Sequence, residues 1–238
     1  MEHKKRILLK LSGETFSTEG SKDLDPRTIV SVIRQIKELK DSHQFGIVVG
    51  GGNFFRGATE GKQLGMTASS GHQVGILATM LNGIILKDLL EQHEVPTTIF
   101  CAVECPPAGA PATQQGITSA IKKGHALVFT GGTGNPFFTT DTNAVLRGLQ
   151  MRVDEIWKGT KVDGVYTKDP KKYADAQYLP TVTYQQAINE RLAIMDPPSF
   201  ALAEQYKQVV RVFNIFTPHA LIKAAQERSF GTTISCEK

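Results

Sequence analysis

The chain has 238 residues, 40% hydrophobic and 21% charged, enough to bury a full core as one large domain over 1–238. Its net charge of +4 comes from scattered Lys and Arg without a block of like charge, which disfavours nucleic-acid binding as a main function and leaves local attraction for phosphates. Cys101, Cys105 and Cys236 make no CxxC pair and have no nearby His pair, so they read as packed or bystander thiols of a reducing cytosol, not as metal ligands.

Strand and helix patterns alternate along the chain. Apolar runs predict strands near 5–11, 45–50, 97–102, 125–130, 153–158, 209–214 and 231–236. Between them, helices are expected over 26–40, 72–93, 114–123, 141–150, 183–191, 197–207 and 218–227, the first opened by Asp25 as cap and Pro26 at the first position. Such alternation predicts a largely parallel sheet covered on both faces by helices. Residues 162–182, with DG and DP dipeptides and the strand-like YLPTVTY, form an excursion off the sheet. The basic start at 1–6 lacks the apolar run of a secretory signal, and the apolar stretch 74–90 is broken by Asn82, Gly83 and Lys87. It therefore reads as a buried or interface helix, and the protein is expected in the cytoplasm, without a membrane partner.

Three glycine clusters follow apolar strands. KRILLKLSGE ends its strand in Ser12 and Gly13 with Lys10 beside them; IVVGGGNFFRG ends in Gly50, Gly51 and Gly52, followed by Arg56. GTGNPFFTTD, residues 132–141, combines Gly132 and Gly134 with a turn at Asn135 and Pro136, two aromatics and two hydroxyls. Bare N–H groups at the carboxyl ends of parallel strands, with cations attached, suit a polyanionic ligand, while Phe137 and Phe138 can wall a flat ring. Two familiar phosphate motifs fail on spacing. GATEGKQ has Gln63 where a P-loop needs Ser or Thr, and GGTGNPF lacks the third glycine of a dinucleotide fingerprint.

KLSGE, VVGGGNFFRG, GILATMLNG, GNPFFTTD, KGTKVDGVYTKDP, RVFN and GTTIS, in this order and nearly end to end, resemble the bacterial uridylate kinases of the amino acid kinase superfamily. The resemblance implies a three-layer αβα sandwich with a largely parallel central sheet, of the amino acid kinase type. It implies transfer of the γ-phosphoryl of ATP to UMP, Mg2+ carried by the ATP phosphates without a dedicated metal site, and a homohexamer. Lys10 is the expected central cation and Asp141 the carboxylate that holds it. The ATP side is expected to use Lys10, Leu11, Ser12, Gly13, Gly52, Arg56, Thr160, Tyr166 and Asp169. The UMP side is expected to use Gly51, Arg56, His72, Thr133, Gly134, Asn135, Pro136, Phe137, Phe138, Thr139 and Thr140. Lys158 and Lys161 add positive charge nearby, and Asp196 is either a site organiser or a helix cap.

Two segments depart from the family pattern. His72 in GHQVG stands where these kinases carry an Asp that contacts the acceptor ribose, and an imidazole offers one acceptor nitrogen when neutral and none when protonated. Residues 87–98 lack much of the basic character that some members use at an inter-subunit GTP site. A nucleotide-binding regulator without turnover is the alternative reading. A kinase for an acyl or carbamoyl acceptor is disfavoured by the FFTT segment.

Overall fold

The computed structural model describes residues 4–18, 21–192 and 194–237. In chain order the elements are β1 (Lys5–Leu11), α1 (Pro26–Leu39), β2 (His43–Val49), α2 (Ala68–Gln92), β3 (Thr97–Cys101), β4 (Ala110–Pro111), α3 (Gln114–Lys122), β5 (Ala126–Thr130), α4 (Thr140–Met151) and β6 (Glu155–Thr160). There follow β7 (Val165–Tyr166), β8 (Tyr178–Leu179), β9 (Thr181–Thr183), α5 (Tyr184–Asn189), α6 (Pro197–Gln205), β10 (Val210–Asn214), α7 (Ala220–Gln226) and β11 (Thr232–Ser235).

Nine strands form one sheet in the order β4-β3-β5-β2-β1-β6-β10-β11-β9, parallel throughout except for the β10–β11 pair. From β1 the chain first builds outward through β2 to one edge, then returns to build the other half from β6. The order therefore reverses at β1, and its carboxyl end is where an open α/β sheet leaves a crevice. Helices cover both faces. On one, Ile7, Leu9, Leu11, Ile47 and Trp157 pack with Ile29, Ile33 and Ile36 of α1, Leu86 and Leu90 of α2 and Leu221 of α7. On the other, Leu8, Val48, Phe129, Ile156 and Val212 pack with Ile117 of α3, Val145 of α4 and Phe200 of α6. Each face is a continuous apolar layer, the main stabilising term of such a fold.

All seven expected strands and seven expected helices are present, with shifted ends. Asp25 caps α1, accepting from the Arg27 N–H at 3.1 Å. α2 starts at Ala68, four residues before expectation, because the Thr67 hydroxyl accepts from Ser70 N and caps it there. β6 runs two residues later than expected, which leaves Lys158 inside the strand. The excursion is a β7–β8 hairpin; Pro180, which has no N–H, then separates β8 from β9, and β9 joins the main sheet beside β11. α2 is long and apolar enough to cross a membrane by composition alone, yet it lies against β3 and β5 and buries Ala78, Met80, Asn82, Gly83, Leu86 and Leu90.

Candidate active site

Alternation along β1 turns Lys10 to the same face as Leu8, the face covered by α4. β6 lies beside β1 with Lys158 directly opposite Lys10, and Ile156 on that same face shows that Lys158 points to α4 as well. α4 begins above the two lysines. The Thr139 hydroxyl caps it by accepting from the Asp141 N–H at 3.1 Å, so the Asp141 carboxylate sits in the first turn. One oxygen pairs with Lys10 Nζ at 3.1 Å and the other with Lys158 Nζ at 2.7 Å, and none of the three side chains is more than 15% exposed.

Burial pushes the Asp141 carboxyl up, but Lys10 and Lys158 together outweigh it and hold the group below the ordinary carboxylate range. Burial and the charge of Lys10 lower the Lys158 ammonium against the opposing pull of Asp141 and Asp196. Two cations on one carboxylate leave the cluster with one positive charge, ready for an anion. Lys158 also donates to the Ile194 carbonyl. Asp196 occupies the N-cap position of α6, its carbonyl accepting from the Ser199 and Phe200 N–H groups, but its side chain makes no capping bond. Its Oδ2 instead accepts from Thr142 Oγ1 of α4 at 2.7 Å, and its Oδ1 is buried without a partner.

Beside the lysines on the β2 side lies a cleft of about 220 Å3, lined by Gly51, Gly52, His72, Phe138, Thr139 and Thr140 among others. Its loops meet backbone to backbone. A Cβ on Gly13 would fall 2.5 Å from Gly52 N, and one on Gly57 would fall 2.2 Å from the Gly71 carbonyl oxygen. Gly50 N–H donates to Leu11 O, whereas the N–H groups of Gly51, Gly52 and Gly132 donate to nothing among the described residues. Asn82 of α2 fixes the loop from below through Gly50 O at 2.7 Å and Asn53 Oδ1 at 2.7 Å.

The second glycine loop runs through left-handed backbone at Gly131, Gly132, Gly134 and Phe137. Thr133 and Asn135 bond to each other, the Thr133 hydroxyl accepting from the Asn135 N–H at 3.3 Å, and with Pro136 they hold the turn. Phe137 is 63% exposed, a conformation and exposure that cost stability, and its ring centroid lies 5.2 Å from that of His72. Arg56 reaches back over Gly52, to whose carbonyl Nε donates at 3.4 Å, and its Nη2 donates to Glu14.

On the β6 side a larger cleft, about 600 Å3, is lined by Lys158, Thr160, Tyr166, Asp169 and Arg191 among others. Thr160 Oγ1 donates to Val162 O at 2.7 Å and shapes the turn. Tyr166 donates to Asp163 Oδ1 at 2.8 Å and packs edge-on to Tyr178, while Asp169 accepts from Lys171 N at 3.0 Å.

Of the residues expected from sequence, Gly51, Gly52, His72, Phe138, Thr139 and Thr140 line the small cleft and Thr160, Tyr166 and Asp169 the large one, whereas Ser12, Gly13, Arg56, Thr133, Asn135, Pro136 and Phe137 line neither. Leu11 ends β1 with its side chain buried in the α1 face and its carbonyl accepting from Gly50 N. The structure adds Lys158 and Glu14 to the residues expected at the centre of the site. Lys158 was visible as a strand lysine matching Lys10, whereas Glu14 carried no signal beyond following a Ser-Gly turn.

Residues 5–214 match the model of the amino acid kinase family. The uridylate kinase of Thermotoga maritima is 42% identical over 96% of this chain and 98% of its own length, and that of Mycoplasma pneumoniae is 41% identical over 96% and 98%. The crystal structure of the UMP kinase from Ureaplasma parvum superposes with a TM-score of 0.92 at 32% identity, covering 98% of this chain and 99% of that one. The matched lysines at the reversal point, the glycine-walled small cleft with the larger one opposite and these likenesses lead to one assignment: the chain belongs to the amino acid kinase family, among its uridylate kinases.

Proposed function

We propose that the chain is an ATP-dependent UMP kinase, built as one amino acid kinase domain, that moves the γ-phosphoryl of ATP onto the phosphate of UMP to give UDP and ADP. The observation that carries this reading is the register pair Lys10–Lys158 on Asp141, lying between a small cleft and a large one. The large cleft takes ATP, with Thr160, Tyr166 and Asp169 toward the nucleoside and Ser12, Gly13 and Gly52 toward the phosphates. The small cleft takes UMP, its phosphate over Gly51 and Arg56, its ribose toward His72 and its base against Phe138, Thr139 and Thr140.

Phosphoryl transfer between two polyanions is largely a matter of alignment and charge compensation. Lys10 and Lys158 reach the transferring group from below and neutralise the charge that builds on its oxygens. Asp141 keeps both ammoniums at one level and acts as no base, because the UMP phosphate is already an anionic nucleophile. Mg2+ would add further charge neutralisation at the ATP phosphates. Among the described residues no group of three acidic, His or Cys side chains forms a cage for it, and the chemistry fits an ion held by phosphates and water, with Asp196 Oδ1 as an acceptor for one such water. Leu77, Leu81 and Ile84 make an exposed apolar stripe on α2, which supports self-association, as a homohexamer in this reading. The protein acts in the cytoplasm.

The test is ADP release from Mg-ATP with UMP, CMP, aspartate or carbamate as acceptor. UMP should be turned over far better than CMP and the other two not at all. Absence of turnover with UMP, together with nucleotide binding, would favour the regulator reading.

A further inference from the structure

The turn that leaves β1, Gly13–Phe16, presents Glu14 between the two halves of the sheet. Because β1 lies between β2 and β6, the loops after those two strands approach Glu14 from opposite sides. Arg56, from the loop after β2, donates Nη2 to Glu14 Oε1; Lys161, just after β6, places Nζ 3.1 Å from Oε2. One carboxylate thus uses both of its oxygens on two cations, one from the β2 side of β1 and one from the β6 side. Burial would raise the Glu14 carboxyl, but Lys161, Arg56 and Lys10 hold it below its ordinary range, so it stays ionised. Arg56 is also tied from behind. Its N–H donates to Glu60 Oε2 at 2.9 Å, and Glu60 Oε1 pairs with Lys22 at 2.6 Å. The charges alternate from Lys22 to Lys161, so the free site already contains the anion that its outward cations attract.

We propose that Glu14 is a positioning residue that stands in for phosphate, holding Arg56 and Lys161 in the free protein and surrendering both when the first nucleotide arrives. This rests on the reading of the two clefts as UMP and ATP sites. A nucleotide phosphate carries more charge than a carboxylate and binds the Arg56 fork in two-pronged fashion, so it displaces Glu14 from the cation on its own side. The bound phosphate also repels the Glu14 carboxylate and so loosens its hold on the other cation. The second nucleotide then meets a cation already loosened, and the two substrates bind with positive coupling through a side chain that touches neither in the final complex.

The test is calorimetric titration of UMP into wild-type protein and into Glu14→Gln, each with and without Mg2+ and the non-hydrolysable β,γ-imido analogue of ATP. The amide keeps the shape and removes the charge. Glu14→Gln should bind UMP alone about three- to tenfold more tightly than wild type, the size expected from two partly exposed ion pairs. The ATP analogue should tighten UMP by a similar factor in wild type and by less than about twofold in Glu14→Gln. Weaker UMP binding in the variant would make Glu14 a mere support for Arg56, and unchanged coupling would make it a bystander; either overturns the proposal. If Glu14→Gln fails to fold, wild type still decides, since no effect of the analogue on UMP affinity contradicts the mechanism. Wild type that binds both nucleotides without coupling overturns this inference alone, whereas wild type that binds neither overturns the functional reading.

Discussion

Asp141→Asn separates the organising role of the carboxylate from the binding roles of the lysines. At an effective dielectric of about 20, contacts at 3.1 and 2.7 Å are worth roughly 5 and 6 kcal/mol of attraction before desolvation is subtracted. Removing one partner from a buried ionic cluster costs about 3–5 kcal/mol, here because two ammoniums are left facing each other. At roughly 2–4 °C per kcal/mol for a chain of this size, the free variant should melt about 6–20 °C below wild type. The sign with pH follows from the depressed carboxyl. Its stabilisation is complete above the ordinary value of 3.8 and is lost as pH falls through the lower folded value, so the melting gap should close in acid. Turnover should fall by about two orders of magnitude or more, because the lysines lose their common level. ATP should bind the variant as well as or better than wild type, since its phosphates supply the missing negative charge, and should recover part of the lost melting temperature. Calorimetry and thermal melts with and without Mg-ATP measure all of this. A variant that melts like wild type, or that loses ATP affinity in proportion to turnover, would refute the reasoning.

His72→Asp should raise the ratio of kcat/KM for UMP over dUMP roughly tenfold or more, the worth of a charge-assisted hydrogen bond to a ribose hydroxyl; an unchanged ratio would place His72 outside ribose recognition. Gly57→Ala puts a Cβ 2.2 Å from the Gly71 carbonyl, an overpacking of about 1–3 kcal/mol, and should raise the KM for UMP more than it lowers kcat in steady-state assays. Arg211→Leu removes a buried guanidinium that donates to the carbonyls of Ala224, Glu227 and Phe230 at the end of α7; it should cost about 3 kcal/mol or more in thermal melts while activity per folded molecule stays near wild type.

The elements and the two sides of the crevice were legible because each carries a local signal. Apolar runs mark β1, β2 and β5, Asp25 with Pro26 marks the start of α1, and the glycine clusters mark the loops that must touch backbone to backbone. What escaped depends on pairing between distant segments. Lys158 became central only through its register with Lys10 across β1 and β6, and a strand placed two residues early put it at an end instead of within the shared face. Glu14 followed a Ser-Gly turn like any polar residue, and only the positions of β2 and β6 on either side of β1 bring Arg56 and Lys161 to it. β4, β7, β8 and β9 have two or three residues each, too few for alternation to show, and Pro180 divides what reads as one strand. Asp196 follows the cap pattern in sequence, but its carboxylate is drawn toward Thr142 and the charge on Lys158.

The central claim is that the paired lysines compensate the charge of the transferring phosphoryl group, and single-turnover rapid quench tests it most directly. Protein loaded with radiolabelled Mg-ATP is mixed with excess UMP, and UDP formation is followed for wild type, Lys10→Ala and Lys158→Ala. Each variant should lose two or more orders of magnitude in the transfer step, about 3 kcal/mol or more of transition-state stabilisation, while ATP affinity measured separately changes far less. Near-normal transfer in either variant, or a loss explained wholly by weaker ATP binding, would contradict the account.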